Sequence, residues 1–293
     1  MMFASPVRFH PDVEVKEPNE AETVESLKQV FDTILETTAR EYGHSVRSVH
    51  AKAHAILQGE LSISDDLTPE VAQGMFARPG KHKLLMRIST NAGDILPDAI
   101  SLPRGIALKV LGVEGERLPG AEGTTQDFVM VNGPVFQTRT AEQFLGNLKL
   151  LARTTDRLEG TKEALSSVLR GVNTALEAVG IESPKIQALG GAPNVDPLGE
   201  TYHSVTPFRF GDYIAKFCLA PISPGLTALT GNKIDARGRE DAIRETVRDE
   251  MRGNRGRWEF RVQLCRDLEK QPVEDPTVNV NGGAKPGRWA AQK

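Results

Sequence analysis

His50 has the widest chemical reach of any residue in this chain. Arg47 precedes it by three positions and His54 follows by four, in the run Arg47-Ser-Val-His50-Ala-Lys-Ala-His54. An imidazole changes charge near neutrality and serves as proton carrier or metal ligand, whereas a guanidinium is a permanent, planar donor for carboxylates and phosphates. A metal shared by His50 and His54 fails on geometry, because on a strand rising about 3.3 Å per residue they stand about 13 Å apart. Proton transfer beside a bound anion is the functional reading. The plainer alternative is a hydrogen-bonded structural histidine.

The elements that must position these residues follow from periodicity. Apolar residues at Val24, Leu27, Val30, Phe31, Ile34 and Leu35 recur at helical spacing and predict an N-terminal helix over 20–42. From Val49 the period drops to two. Val49, Ala51, Ala53, Ala55, Leu57, Leu61 and Ile63 share one face, and His50, Lys52, His54, Gln58 and Glu60 take the other, which predicts one long strand with a polar face. Further strand-like runs are Lys83–Ser89, Gly105–Val113, Gln126–Val131, Tyr202–Leu219 and Trp258–Cys265, punctuated by Pro79-Gly80, Pro119-Gly120 and Pro221 to Gly225. Between the third-last and second-last of these the pattern turns helical over 140–180. Thr140 and Gln143 have capping-box spacing ahead of Phe144, Leu145, Leu148 and Leu151, and Thr161 opens a second apolar series from Leu165 to Val179. A third helix is expected at Glu240–Met251, and residues 281–293 lose all periodicity and are expected to fray.

Several of these segments, taken in order, resemble the catalases. Arg47-Ser-Val-His50-Ala resembles the distal haem motif, which implies that His50 shuttles the peroxide proton and that Arg47 faces a haem propionate. Arg87-Ile-Ser89-Thr resembles the next strand of that wall, with Arg87 as a second propionate partner and Ser89 as the hydroxyl that fixes the histidine ring. Leu102-Pro-Arg104-Gly105 resembles the turn into the following strand. Gln126-Asp-Phe-Val-Met-Val-Asn132-Gly-Pro134 resembles the segment with the distal asparagine; an ungapped match puts Val131 on the catalytic asparagine, and a one-residue shift gives Asn132 that role of orienting the peroxide. Phe144 falls where the family stacks an aromatic on the porphyrin, and also suits the core of an amphipathic helix. The resemblance covers residues 45–150 and extends weakly through 202–220 and 257–275. It implies an α+β fold, a catalase-like antiparallel β-barrel over 45–280 with surrounding helices, forming one domain over 1–293. It also implies haem as cofactor and hydrogen peroxide or an organic hydroperoxide as substrate.

The pattern departs from the family at the iron ligand, a tyrosinate with an arginine four residues before it. Arg209-Phe-Gly-Asp-Tyr213 has the spacing, yet it lies in a strand-like run where such positions are about 13 Å apart. Tyr202, Tyr42 and His203 offer no better pattern, so the metal ligand stays unknown at this point. Two readings from different classes therefore stand: a haem-dependent peroxide-consuming enzyme, and a shortened homologue without an iron ligand that acts as a non-catalytic small-molecule-binding barrel. A truncated product of a longer reading frame is a third.

Composition sets the remaining bounds. A net charge of −3 over 293 residues, with both signs mixed along the chain, provides no field for nucleic acid or an anionic membrane. No window reaches the roughly 18 consecutive apolar residues of a membrane span, and the first residues lack signal-peptide character, so a cytoplasmic protein is expected, compatible with a homo-oligomer. Cys218 and Cys265 lack metal or redox spacing and read as buried free thiols. No Gly-x-Ser-x-Gly, Gly-x-x-x-x-Gly-Lys-Ser/Thr or Gly-x-Gly-x-x-Gly motif is present, which sets aside serine hydrolases, P-loop nucleotide hydrolases and Rossmann dehydrogenases.

Overall fold

A computed structural model of the chain describes residues 4–154 and 193–280. The second predicted helical series, from Thr161, and the tail 281–293 lie outside the described residues. Helix α1 (Glu20–Tyr42) ends at Gly43, whose φ of 70° supplies the left-handed turn that stops it. The strands are β1 (Ala53–Ile63), β2 (Gly80–Thr90), β3 (Arg104–Leu111), β4 (Thr125–Val131), β5 (Tyr202–His203), β6 (Phe208–Phe210), β7 (Tyr213–Pro221) and β8 (Trp258–Leu264). Helix α2 (Ala141–Thr154) follows β4, and the short α3 (Pro224–Thr227) and longer α4 (Ala242–Gly253) separate β7 from β8.

All eight strands form one antiparallel sheet, and the expected barrel does not close. Strands β1 to β4 pair in sequence as a meander, β5 and β6 pair consecutively with one edge of β7, and β8 pairs with the other. No β1–β8 pairing exists among the described residues, so the sheet has two edges. Helix α4 packs at the first of them: Arg244 Nη2 donates to the Ala53 carbonyl at 3.1 Å, and Ile243, Val247 and Met251 join the core. That core holds Ala55 and Leu57 of β1, Met86 and Ile88 of β2, Ile106, Leu108 and Val110 of β3, Phe128 and Met130 of β4, Leu219 of β7 and Phe260 of β8. The sheet thus curls around one apolar interior, with a helix where a closed barrel has a strand pair.

Two strand predictions are corrected. β1 begins at Ala53 rather than Val49, because His50 adopts a φ of 52°, in the left-handed region that extended chain excludes. The run Tyr202–Leu219 is three strands, broken by Val205 at φ 51° and by the Gly211 turn at φ 59°. At the start of α2, Thr140 Oγ1 accepts from the Gln143 amide at 3.3 Å, and Gln143 Oε1 accepts from the Arg139 amide at 3.1 Å, a capping box returned one residue early. No helix among the described residues is long and apolar enough to cross a membrane.

Candidate functional site

Alternation gives the sheet two faces with different chemistry. Ile88, Ile106 and Met130 point into the core, and their neighbours Arg87, Ser89, Gly105, Ala107, Val129 and Val131 point outward. Two rows cross this outer face in register. One runs Ile56, Arg87, Ala107, Val129; the next runs Ser89, Gly105, Val131, His203, Cys218. At about 4.8 Å between strands, the first row spans roughly 14 Å. Its ends are apolar and open: Ile56 is 67% exposed and Val129 64%.

His50 lies over the second row. Its backbone is held in the left-handed conformation by the His50 amide donating to Asn91 O at 3.1 Å and by Arg87 Nη2 donating to His50 O at 2.6 Å. Its ring is fixed by contact between Nδ1 and Ser89 Oγ at 3.0 Å. Beneath the ring is Gly105, where a Cβ would come within 2.4 Å of His50 Cε1, so only glycine lets the imidazole settle there. Gly93 serves the same loop, since a Cβ there would strike Ser48 O at 2.4 Å and Ile34 of α1 at 2.7 Å. Burial first, then the charges of Arg87 and Arg47, push the His50 pKa down to about 4. The imidazole is therefore neutral at neutral pH, with Nε2 unpartnered by protein among the described residues.

Arg47 is exposed and Arg87 half-buried. Burial and the neighbouring Arg47 both lower the Arg87 pKa, and neither guanidinium has a carboxylate partner among the described residues. Two like charges beside an apolar strip form a surface that favours an anion.

Asn132 and Phe144 are placed apart from this cluster. Asn132 Oδ1 accepts from the Arg104 amide at 2.8 Å and its Nδ2 donates to Glu200 Oε2 at 2.9 Å, so its amide secures the turn before Gly105. Val131, which precedes it, faces outward between Gly105 and His203. Phe144 packs on Phe136 with centroids 5.5 Å apart. The structure thus groups Arg47, His50, Arg87 and Ser89, and leaves Asn132 and Phe144 in other contacts.

Sequence reasoning missed a buried polar layer beneath the site. Lys52 Nζ lies 2.8 Å from Asp98 Oδ1 with both side chains almost fully buried, and Asp98 Oδ2 accepts from the Ile243 amide at the start of α4 at 2.7 Å. His54 Nε2 meets Thr90 Oγ1 at 2.5 Å. Arg104, 1% exposed, donates to Leu102 O and Asn194 Oδ1. The strand pattern placed Lys52 and His54 on a polar face, and no sequence signal announced Asp98 as their company or Glu200 beside Asn132.

Three buried histidines, His54 in this layer and His50 and His203 on the outer face, are expected to make the fold acid-sensitive. Burial holds His50, His54 and His203 down to about 4, about 3 and about 4, assisted in turn by Arg87, Arg104 and Lys216. As pH falls below the ordinary 6.5 the unfolded chain takes up protons that the folded chain refuses, so stability is lost from about pH 6.5 toward pH 4. Glu200 acts oppositely, because burial raises its pKa to about 7 and the folded state keeps that proton. Asp196, whose carboxyl burial also pushes up, adds to Glu200 and offsets part of the loss from the three histidines. Urea midpoints are expected to fall steeply between pH 6.5 and 5; a flat profile would show that these histidines protonate within the fold.

No protein-family profile matches the sequence, and no curated protein matches it. Solved structures do. Catalase A from Saccharomyces cerevisiae aligns over 94% of this chain and 54% of its own, with 16% identity and a TM-score of 0.53. A fungal catalase aligns over 94% of this chain and 52% of its own, with 18% identity and the same TM-score of 0.53. The fold is therefore catalase-like, and the chain spans about half the length of these catalases.

Proposed function

We propose that the outer face of β1 to β4 binds haem and that the chain consumes hydrogen peroxide or an organic hydroperoxide, with His50 carrying the proton. The observation that carries this reading is the fixed, neutral imidazole over Ser89 and Gly105, beside an outer row in which Arg87 stands between the apolar Ile56 and Ala107, with Arg47 nearby. A flat dicarboxylate macrocycle fits that surface: Ile56, Ala107 and Val129 meet its apolar face, and Arg47 and Arg87 meet its carboxylates. Haem, when bound there, supplies the iron redox chemistry.

The chain's own residues account for the proton. In the tautomer whose Nδ1–H donates to Ser89 Oγ, Nε2 holds the lone pair. Its lowered pKa keeps it a base at neutral pH, ready to take a proton from peroxide and return it to the departing oxygen. Arg87 anchors the His50 carbonyl, and Asn132 holds the start of β3 at Arg104, next to the Gly105 on which the ring rests. Gly105→Ala is expected to lower peroxide consumption by about tenfold or more with the fold retained, because the added methyl drives the ring off Ser89. Unchanged turnover in that variant would mean that the ring position is immaterial.

The second reading, a binding module without turnover, is favoured by a separate observation. No tyrosine stands in the two outer rows: Tyr202 is 0% exposed, in the core of the opposite face, and donates its hydroxyl to Pro197 O. One experiment separates the two readings. Protein reconstituted with hemin is freed of excess hemin, its Soret band is recorded, and peroxide decay is followed at 240 nm. A Soret band with turnover above that of free hemin supports the enzyme, a Soret band without it supports the module, and a colourless protein ends both.

A further inference from the structure

We infer that Lys216 presents a nucleophilic amine that captures small aliphatic aldehydes as an imine, in a cavity over the β7–β8 pair that the peroxide reading does not use. The inference is independent of haem.

Lys216 lies in the middle of β7, on the same face as Ile214 and Cys218, and directly opposite Gln263 of β8. A cavity of about 20 Å³ opens there, and its lining includes Ile214, Lys216, Gln263, Pro272, Val280 and the buried free thiol Cys265. Two polar atoms of that lining are buried and without a hydrogen-bond partner among the described residues: Lys216 Nζ and Gln263 Oε1. The lysine is only 9% exposed, and the Gln263 amide spends its Nε2 on Val280 O at 3.5 Å. The contrast with the other buried lysine is sharp, because Lys52 holds Asp98 at 2.8 Å and two carbonyl oxygens. Around Lys216 the charged and titratable groups are Asp275, which acts on it without an ion pair, and His203, whose own pKa the lysine charge helps to lower. Burial outweighs Asp275 and brings the Lys216 pKa down, so more of it is free amine at neutral pH than in an exposed lysine.

A free amine attacks carbonyl carbon. Nζ bonds to the aldehyde carbon and one of its hydrogens passes to the oxygen, and the resulting hydroxyl finds an acceptor in Gln263 Oε1. That oxygen then leaves as water with the second Nζ hydrogen, and a C=N bond remains. Atoms balance without an oxidant or reductant. The cavity slightly exceeds the room one water needs and is apolar apart from these two groups, which selects uncharged aldehydes of roughly one to three carbons.

The test is reductive trapping on the full chain with no porphyrin added: acetaldehyde and sodium cyanoborohydride at neutral pH, then proteolysis and mass spectrometry of the ethylated lysines. Lys81, whose side chain is 70% exposed and whose pKa Glu60 raises, is the internal reference. Lys216 is expected to be ethylated about tenfold or more faster than Lys81 in the native protein, and at the same rate as Lys81 in unfolding urea. Gln263→Leu is expected to slow trapping at Lys216 several-fold and leave Lys81 unchanged, with the fold checked by circular dichroism. Ethylation of Lys216 no faster than Lys81, or a preference that survives in urea, would overturn the inference. So would formate that raises the thermal midpoint of the parent and not of Lys216→Met, since the lysine would then be an ammonium seat for an anion.

Discussion

Replacing His50 by alanine lowers peroxide consumption by the hemin-loaded protein by about 100-fold or more, with hemin still bound, if His50 is the proton carrier. General acid-base groups contribute roughly 10²–10⁴ in rate, and among the described residues His50 is the histidine whose Nδ1 meets a side-chain hydroxyl. Because Arg47 and Arg87 are retained in the variant, the Soret band and the porphyrin dissociation constant are expected to change little. A second readout guards against a merely structural role. The parent should keep its activity from pH 8 down to about 6 and lose it as pH approaches the His50 pKa of about 4, whereas the variant should lose its residual activity only where a parallel urea titration shows its fold failing. Equal turnover in parent and variant would remove His50 from the mechanism, whatever became of the cofactor.

Asp98→Ala is expected to lower stability by about 3–5 kcal/mol, the range for breaking a buried ion pair by removing one partner. Asp98 holds the buried Lys52 ammonium at 2.8 Å and accepts from the Ile243 amide at the start of α4 at 2.7 Å. Without it the ammonium retains two carbonyl oxygens and the half-exposed Asp241 carboxylate at 3.3 Å. Most of the cost is thus a stranded charge and not a lost contact. Consequently Lys52→Met combined with Asp98→Ala should be more stable than Asp98→Ala alone. Urea titrations of the four-member cycle give the comparison; a loss below 1 kcal/mol in the single variant would mean that water or Asp241 compensates the lysine.

The sequence disclosed the elements whose pattern repeats and missed the points where one residue breaks a pattern. Residues 80–90, 104–111, 125–131 and 258–264 alternate because each strand has one face in the core, and alternation is the imprint of that burial. The same alternation serves a closed barrel and a curled open sheet, so closure was not legible, and α4 filling the place beside β1 could not be read from its own amphipathic spacing. His50 and Val205 at positive φ have side chains that ordinarily avoid it, and only tertiary bonds such as Arg87 Nη2 to His50 O hold such a conformation. The proximity of Arg47, His50, Arg87 and Ser89 was foreshadowed by motif order. The Lys52–Asp98 pair was not, since lone charges on a strand and in a loop look solvated until their surroundings are known.

The seam between β4 and β5 bears on how the chain assembles. Strands β1 to β4 pair strictly with their neighbours in sequence, and they carry Ser89, Gly105 and Val131 together with the loop that presents His50. The second half of the sheet joins them through a single register pair, Val131 with His203, across the long stretch from Asn132 to Thr201. Short-range hairpins are kinetically cheap, whereas closing a long loop must precede any contact that rewards it. The meander is accordingly the half able to form first. In the finished protein the two halves are held together by the shared core and by side-chain bonds such as Asn132 to Glu200 and Arg104 to Asn194, far more than by backbone pairing at the seam.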